Sequence, residues 1–277
     1  AGTYTIDSSQ PTASNNFHSV AEAAQSLINC GMAGPVIFEL VDTLYQDSLI
    51  IGNIPGLSPI NTLTIKPQAG KQVKIKSSKT YAIKLFNTHD IIIDGSGDGS
   101  GSKDLTILIS ATTGLQAPIH IASAGVGQGC KRITIKNVNI EAGHSGYIYN
   151  YVTYTSSGIF IGASAINTAG FDNDSIIINN VHIRKAYYGV YSYGNSATNP
   201  NKRVYITNST IGAINTADYI NQRGVYLNYT INSRINNNNI YNIITSISAT
   251  PYGIYLYYSD TATVMNNIIH SVKYTGT

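Results

Sequence analysis

Ile206-Thr-Asn208-Ser-Thr-Ile211, Ile235-Asn-Asn237-Asn-Asn-Ile240 and Val264-Met-Asn266-Asn-Ile-Ile269 are copies of one pattern, apolar-x-Asn-x-x-Ile. Two further copies stand upstream, Ile135-Lys-Asn137-Val-Asn-Ile140 and Ile178-Asn-Asn180-Val-His-Ile183. From the first Asn to the last the spacings are 43, 28, 29 and 29 residues. A second pattern interleaves with it: Gly158-Ile-Phe160-Ile, Gly189-Val-Tyr191-Ser, Gly224-Val-Tyr226-Leu and Gly253-Ile-Tyr255-Leu, with Pro118-Ile-His120-Ile as an earlier relative. Two motifs recurring in phase are the mark of a repeat architecture. A period near 29 residues, divided into short alternating segments, predicts an all-β parallel β-helix of about three strands per coil. Its coils would be stacked at about 4.8 Å.

Alternation assigns the faces, because successive strand residues point to opposite sides. Ile254 and Leu256 turn into the bore, and Tyr255 and Tyr257 turn out; Ile133 and Ile135 go in, Thr134 and Lys136 out. The repeated Asn follows an inward Ile where the chain must turn, and Asn tolerates the left-handed conformation. Asn137, Asn180, Asn208, Asn237 and Asn266 are therefore expected to line one corner and to form a structural amide ladder.

The chain before the repeats has another period. Between Asn15 and Asn29, Phe17, Val20, Ala21, Ala24, Leu27 and Ile28 fall at helical spacing, with Ser14, Asn15 or Asn16 to cap the start and Gly31 placed for the C-terminal cap. A solenoid needs its open end covered, so residues 1–34 read as an N-terminal strand and capping helix, and 35–277 as the solenoid. Irregular early coils are expected at 35–40, 62–65, 73–75, 83–85 and 91–94. No second lid precedes Thr277, which leads to the expectation of a truncated chain. Backbone edges around Val264–Ile269 and bore residues such as Ile268 would then pair with another protein chain.

Charged residues make up 11% of the 277, against about a quarter in an ordinary domain. The net charge of +3 is too small and too dispersed for a nucleic-acid face. Apolar runs such as Ile91-Ile-Ile93 are far too short for membrane insertion. A hydrophobic content of 43% argues against disorder. Asn, Gly 25 and Tyr 21 supply turns and strands instead. Cys30 and Cys130 make no metal or redox motif and read as two small buried side chains rather than a disulfide.

The order Gly2-Thr-Tyr-Thr-Ile6, lid helix, Gly34-Pro-Val-Ile-Phe38, Ile91-Ile-Ile-Asp-Gly95, Ile135-Lys-Asn-Val138, Gly158-Ile-Phe-Ile-Gly162, Tyr188-Gly-Val-Tyr191 and Tyr274-Thr-Gly276 resembles the large secreted β-helix proteins that Bacteroidota-type bacteria export by the type IX pathway. The resemblance covers nearly the whole chain. It implies a right-handed, pectate-lyase-like β-helix, a secreted or cell-surface location and a C-terminal sorting domain that this sequence does not contain. The activity of that family is poorly defined and is often taken as adhesion or polysaccharide contact.

Enzymes acting on polysaccharides need carboxylates, and after residue 105 the chain has only Glu141, Asp172, Asp174, Asp218 and Asp260. Asp172 and Asp174, about 7 Å apart if extended, would suit an inverting pair, yet Phe171-Asp-Asn-Asp-Ser175 reads equally well as a turn. Asp94, Asp98 and Asp104 sit on a Gly/Ser-rich loop and are a weak Ca²⁺ candidate, because their spacing fits no calcium motif. Gly143-His144-Ser145-Gly146 misses the nucleophile-elbow pattern, and the six His show no local metal spacing.

The informative surface feature is aromatic. His120, Phe160, Tyr191, Tyr226 and Tyr255 occupy one outward position on successive coils, with Lys84 before them and Tyr193 and Tyr257 two residues on. Stacked rings stabilise neighbouring strands, and an exposed strip of them also meets sugar faces. The sequence thus predicts a noncatalytic extracellular stalk or adhesin-like module, possessing no cofactor and contacting polysaccharide through this stripe. A polysaccharide lyase or glycoside hydrolase, and a trimeric fibre component, stand as alternatives.

Overall fold

The computed structural model describes residues 1–46, 48–144, 155–246 and 248–276. The chain winds into a right-handed parallel β-helix whose coils present three faces. The first face carries Gly2–Ile6, Val36–Leu40, Leu63–Pro67, His89–Asp94, Lys131–Lys136, Asp174–Asn179, Asn201–Thr207, Arg234–Asn236 and Thr263–Met265, paired in that order. The second runs from Leu44–Tyr45 through Val73–Ser77, Leu105–Ile109, Val138–Glu141, His182–Arg184 and Thr210–Ile211 to Asn239–Thr245 and Ile268–Tyr274. The third runs from Leu49–Ile51 through Ile83–Phe86, Ile119–Ser123, Ser157–Ala163, Ala186–Tyr193 and Ile220–Asn228 to Tyr252–Tyr257.

Register turns the repeat into a core. On the first face Phe38, Ile65, Ile93, Ile135, Ile178, Ile206 and Ile235 stand directly one above another. On the second, Ile75, Ile107, Ile140, Ile183, Ile211, Ile240 and Ile269 do the same. Nearly all are buried in one continuous cluster, each contributing about 2 kcal/mol by removal from water. β-branched side chains suit this stacking because their rotamers are already restricted in a strand.

The two sequence motifs interlock in the bore. A Cβ built on Gly189 would lie 2.5 Å from Cγ2 of Ile211, and one on Gly224 would lie 2.5 Å from Cγ2 of Ile240. Gly158 faces Ile183 and Gly253 faces Ile269 in the same tight manner. The glycine of one motif is therefore the hole into which the Ile of the other packs.

The repeated Asn residues all turn the corner in the left-handed region, with φ of 59° at Asn137, 52° at Asn180 and Asn208, 59° at Asn237 and 54° at Asn266. Their side chains do not share one bonding scheme. Asn180 Nδ2 donates to Asn137 Oδ1 at 2.8 Å, and Asn137 Nδ2 donates to Asp94 Oδ1 at 2.7 Å. Asn208 instead donates to Asn179 Oδ1. In the last coils the buried amide bonds are made one residue later, where Asn238 Nδ2 donates to Asn267 Oδ1 at 2.9 Å. A second left-handed column, invisible in the repeat, runs through Asp90, Arg132, Ser175, Arg203, Asn232 and Thr261. A left-handed Arg is strained; Arg132 is held by a bidentate pair with buried Asp90, and Arg203 by Asp174.

The helix spans Val20–Cys30, capped by Ser19, whose Oγ accepts from Glu22 N, and closed at Gly31 with φ 70°. It starts later than the apolar spacing suggests. Asn16–Phe17 is a short strand beside Gly2–Ile6, because Phe17 packs on Tyr4 and Phe38 and has no place on a helix face. Val20, Ala23, Ala24 and Leu27 join the bore cluster. The strand Gly2–Ile6 pairs residue for residue with Val36–Leu40 and is the first rung of the first face.

At the far end Val264, Met265 and Ile269 are exposed. Ile268 is not a bore residue: it pairs with outward Asn239 and is 65% exposed, whereas Ile269 continues the inward stack. The inward position is one residue later than the sequence reading placed it, because Ile269 and not Ile268 pairs with inward Ile240. Of the two cysteines expected to be buried only Cys130 is; Cys30, at the end of the helix, is exposed, and both are free thiols; burial pushes the Cys130 thiol up to about 11. No helix among the described residues is long and apolar enough to cross a membrane.

Candidate functional site: an aromatic column on the third face

Ile50, Lys84, His120, Phe160, Tyr191, Tyr226 and Tyr255 are paired in register up the outside of the third face. Ring centroids lie 5.4 Å apart from His120 to Phe160 and from Phe160 to Tyr191. They lie 4.5 Å apart from Tyr191 to Tyr226, with planes 2° from parallel, and 5.3 Å from Tyr226 to Tyr255. Rung spacing imposes this stack, and the rings lie outside the bore.

Most of this stripe is nevertheless not a surface. Phe160, Tyr187, Tyr188, Tyr191 and Tyr226 form a second buried cluster with Ala117 and Ile166, flanked by Leu115, Tyr193 and Tyr255. Leu115 and Ile166 come from connecting segments, and these fold over the column. Desolvation accordingly raises the phenols of Tyr191 and Tyr226. Ile50 at the first rung is 49% exposed, and the rings of the column surface at its last rungs, where Tyr257 is 42% and Tyr258 61% exposed. There Tyr255 and Tyr257 lie nearly parallel at 6.1 Å, Tyr252 packs on Tyr255 at 4.7 Å, and Tyr258 stacks on Tyr229 at 4.8 Å. Tyr252 and Tyr258 carry no motif signal, since each sits beside a repeat rather than in it.

His120 is 1% exposed, and its Nε2 lies 2.8 Å from the carbonyl of Ala163. Burial, helped by the nearby Lys84 charge, pushes its imidazole down to about 4, so it is neutral at physiological pH. Lys84 is itself lowered by burial, donates to Ser164 O at 2.8 Å and sits over the rings of Tyr81 and Phe86. Beside His120 opens a groove of about 660 Å³, lined by Tyr81, Gln116, Leu115, Ile166, Thr113 and Lys79 among others.

The carboxylates are spent on structure elsewhere. Asp172 Oδ2 accepts from Gly127 N at 2.8 Å, and Asp174 pairs with Arg203, so each has its own partner. Asp94 accepts from Ser96 N and Asn137 Nδ2 and pairs with Lys136. Asp98 accepts from Ser100 N, a bond that lowers its pKa. Asp104 accepts from Gln72 Nε2 and Ser102 Oγ. These acids hold turns and join neighbouring coils, and among the described residues no group of three or more His, Cys, Asp or Glu is arranged to hold a metal. His89, His144, His182 and His270 are scattered, bonding Asp90, Gly114 O, Gly212 O and Ser271 respectively. Ser145 and Gly146 of the Gly-His-Ser-Gly stretch lie outside the described residues.

No family model matches the chain, and no curated protein matches it in sequence. Among solved structures, the pectin methylesterase from Aspergillus niger in deglycosylated form aligns over 95% of this chain and 86% of its own, at 11% identity and a TM-score of 0.48. The Dettilon tailspike protein gp208 aligns over 97% of this chain and 60% of its own, at 12% identity and a TM-score of 0.34. The Streptococcus pneumoniae surface protein and adhesin PfbA aligns over 90% and 91%, at 13% identity and a TM-score of 0.31.

Proposed function

We propose that this chain is a noncatalytic extracellular β-helix module that contacts polysaccharide through the surfaced end of its aromatic column. The observation carrying this reading is the emergence of Tyr252, Tyr255, Tyr257 and Tyr258 as neighbouring, partly exposed rings on a rigid buried stack. Such rings meet the CH faces of sugars while their hydroxyls donate and accept hydrogen bonds. A repeat surface adds several weak contacts along one polymer. The strands of the third face carry no Asp or Glu, and among the described residues neither acid nor Cys lines the groove beside His120. Glycoside hydrolysis needs a carboxylate pair, so this chemistry favours binding over the hydrolase alternative. The extracellular location rests on the resemblance to exported β-helix proteins.

A glycan array, run beside lyase, esterase and reducing-sugar assays, tests the proposal. Binding without turnover is expected, weakened by the Tyr255→Ala/Tyr257→Ala pair. Turnover of any polysaccharide, or unchanged binding by that variant, would overturn it. Protease protection of the native protein on intact producing cells would overturn the location.

A further inference from the structure

Beside the surfaced rings stands a half-buried cation. Ser157, Tyr188, Arg223 and Tyr252 stand in register on the third face, so Arg223 occupies the rung between two tyrosines. Its guanidinium carbon lies 4.1 Å from the ring centre of Tyr226, 4.5 Å from that of Tyr255 and 5.4 Å from that of Tyr188. The strand is bulged there: the register shifts between Ala186 and Tyr188 opposite Ile220–Arg223, and bulges re-aim side chains.

The charge has no acidic partner. Ion pairs among the described residues take Lys66, His89, Arg132, Lys136, Arg184, Lys185 and Arg203, and Arg223 is in none of them. Its guanidinium bonds only to phenols among the described residues, from Nη1 to Tyr188 Oη at 3.5 Å and to the Tyr226 side chain. Its Nε is buried without a partner. Buried polar atoms are rarely left unpaired. A guanidinium stacked on rings keeps its N–H donors in one plane, the geometry that meets a planar or tetrahedral oxyanion.

We propose that Arg223 and the rings around it form a subsite for an anionic sugar unit, a carboxylate or a sulfate ester, flanked by the neutral platform of Tyr252, Tyr255 and Tyr257. The proposal rests on the polysaccharide reading above and names its ligand class.

The test measures binding to charge-matched pairs: polygalacturonate against its fully methyl-esterified form for the carboxylate, and dextran sulfate against dextran for the sulfate. The wild type should prefer the anionic member of at least one pair by about tenfold, the order of one charge-assisted hydrogen bond. Arg223→Gln should lose that preference and keep its affinity for the neutral member, which also reports that the variant is folded. Arg223→Lys should retain only part of the preference. Equal binding of charged and neutral members by the wild type, or an unaltered preference in Arg223→Gln, overturns the subsite and leaves the polysaccharide reading standing. If no polymer binds, that reading falls. The subsite is then decided by titrating methyl glucuronide and sulfate while following tyrosine ring NMR signals: Arg223-dependent shifts sustain it, and their absence overturns it.

Discussion

The bore and the aromatic column are built by neighbouring residues of the same third-face strands, yet they follow different rules. In the bore the rungs are interchangeable, because Ile119, Ile159, Val190, Val225 and Ile254 stack like on like. Outside, the rungs change character along the axis, from Lys84 and His120 beneath connecting segments, through buried Phe160 and Tyr191, to surfaced Tyr255 and Tyr257. The bore is enclosed by the fold itself. The column is enclosed only where a connection between strands happens to fold across it. Uniform packing therefore belongs to the part that every coil closes, and graded exposure to the part that loops cover.

The largest expected effect contrasts the two. Ile178→Ala in the bore should cost about 4 kcal/mol, and Tyr191→Ala in the column about 3 kcal/mol, both within the range for large-to-small changes at buried sites. Tyr257→Ala should leave the urea midpoint unchanged. A column whose Tyr191 variant also unfolds at the wild-type midpoint would be a surface after all.

Acid sharpens the difference further. The imidazole of His120 titrates near 4 in the folded protein and near the ordinary 6.5 when unfolded. The folded state therefore gains its full advantage above pH 6.5, loses it progressively as pH falls towards 4, and loses nothing more below that. The amplitude is about 3 kcal/mol. Urea denaturation of wild type and His120→Gln at pH 7.5 and 4.2 should show this excess loss in the wild type alone. Parallel curves for the two proteins would place no buried histidine at this rung.

Overpacking ranks next. Gly189→Ala drives a methyl against Gly224 O and Ile211 and should cost about 2–3 kcal/mol. Gly253→Ala meets only the side chain of Ile269 in the exposed last coil and should cost clearly less. Thermal unfolding of the two variants checks the gradient from closed to open bore.

The smallest effect lies at the corner. Asn237 has φ 59°, so Asn237→Gly should be nearly neutral and Asn237→Ala should cost about 1 kcal/mol, the penalty of a Cβ in the left-handed region. Equal stabilities would mean that the Asn side chain, not its backbone, holds the turn.

Period and alternation made the solenoid, the inward and outward residues and the left-handed Asn corner legible in the chain, because stacking repeats each local rule at every rung. The capping Gly31 was legible for a different reason, as a local backbone requirement at the end of the helix. The start of the helix was not, since Phe17 fits the helical spacing but is claimed by Tyr4 and Phe38, residues distant in sequence. Nor was the left-handed column through Arg132 and Arg203, whose strain is offset by Asp90 and Asp174 on neighbouring stretches.

For the candidate site the sequence determined which rings share one outward column. Alternation settles direction, and direction is local. Tertiary structure alone decided which of those rings are covered, because exposure depends on where Leu115 and Ile166 come to rest. It also placed Arg223 on the tyrosines, through a bulge that no period announces. Strand geometry repeats every two residues and each coil about every 29, whereas connections between strands obey neither period, and they determine what a ligand can reach.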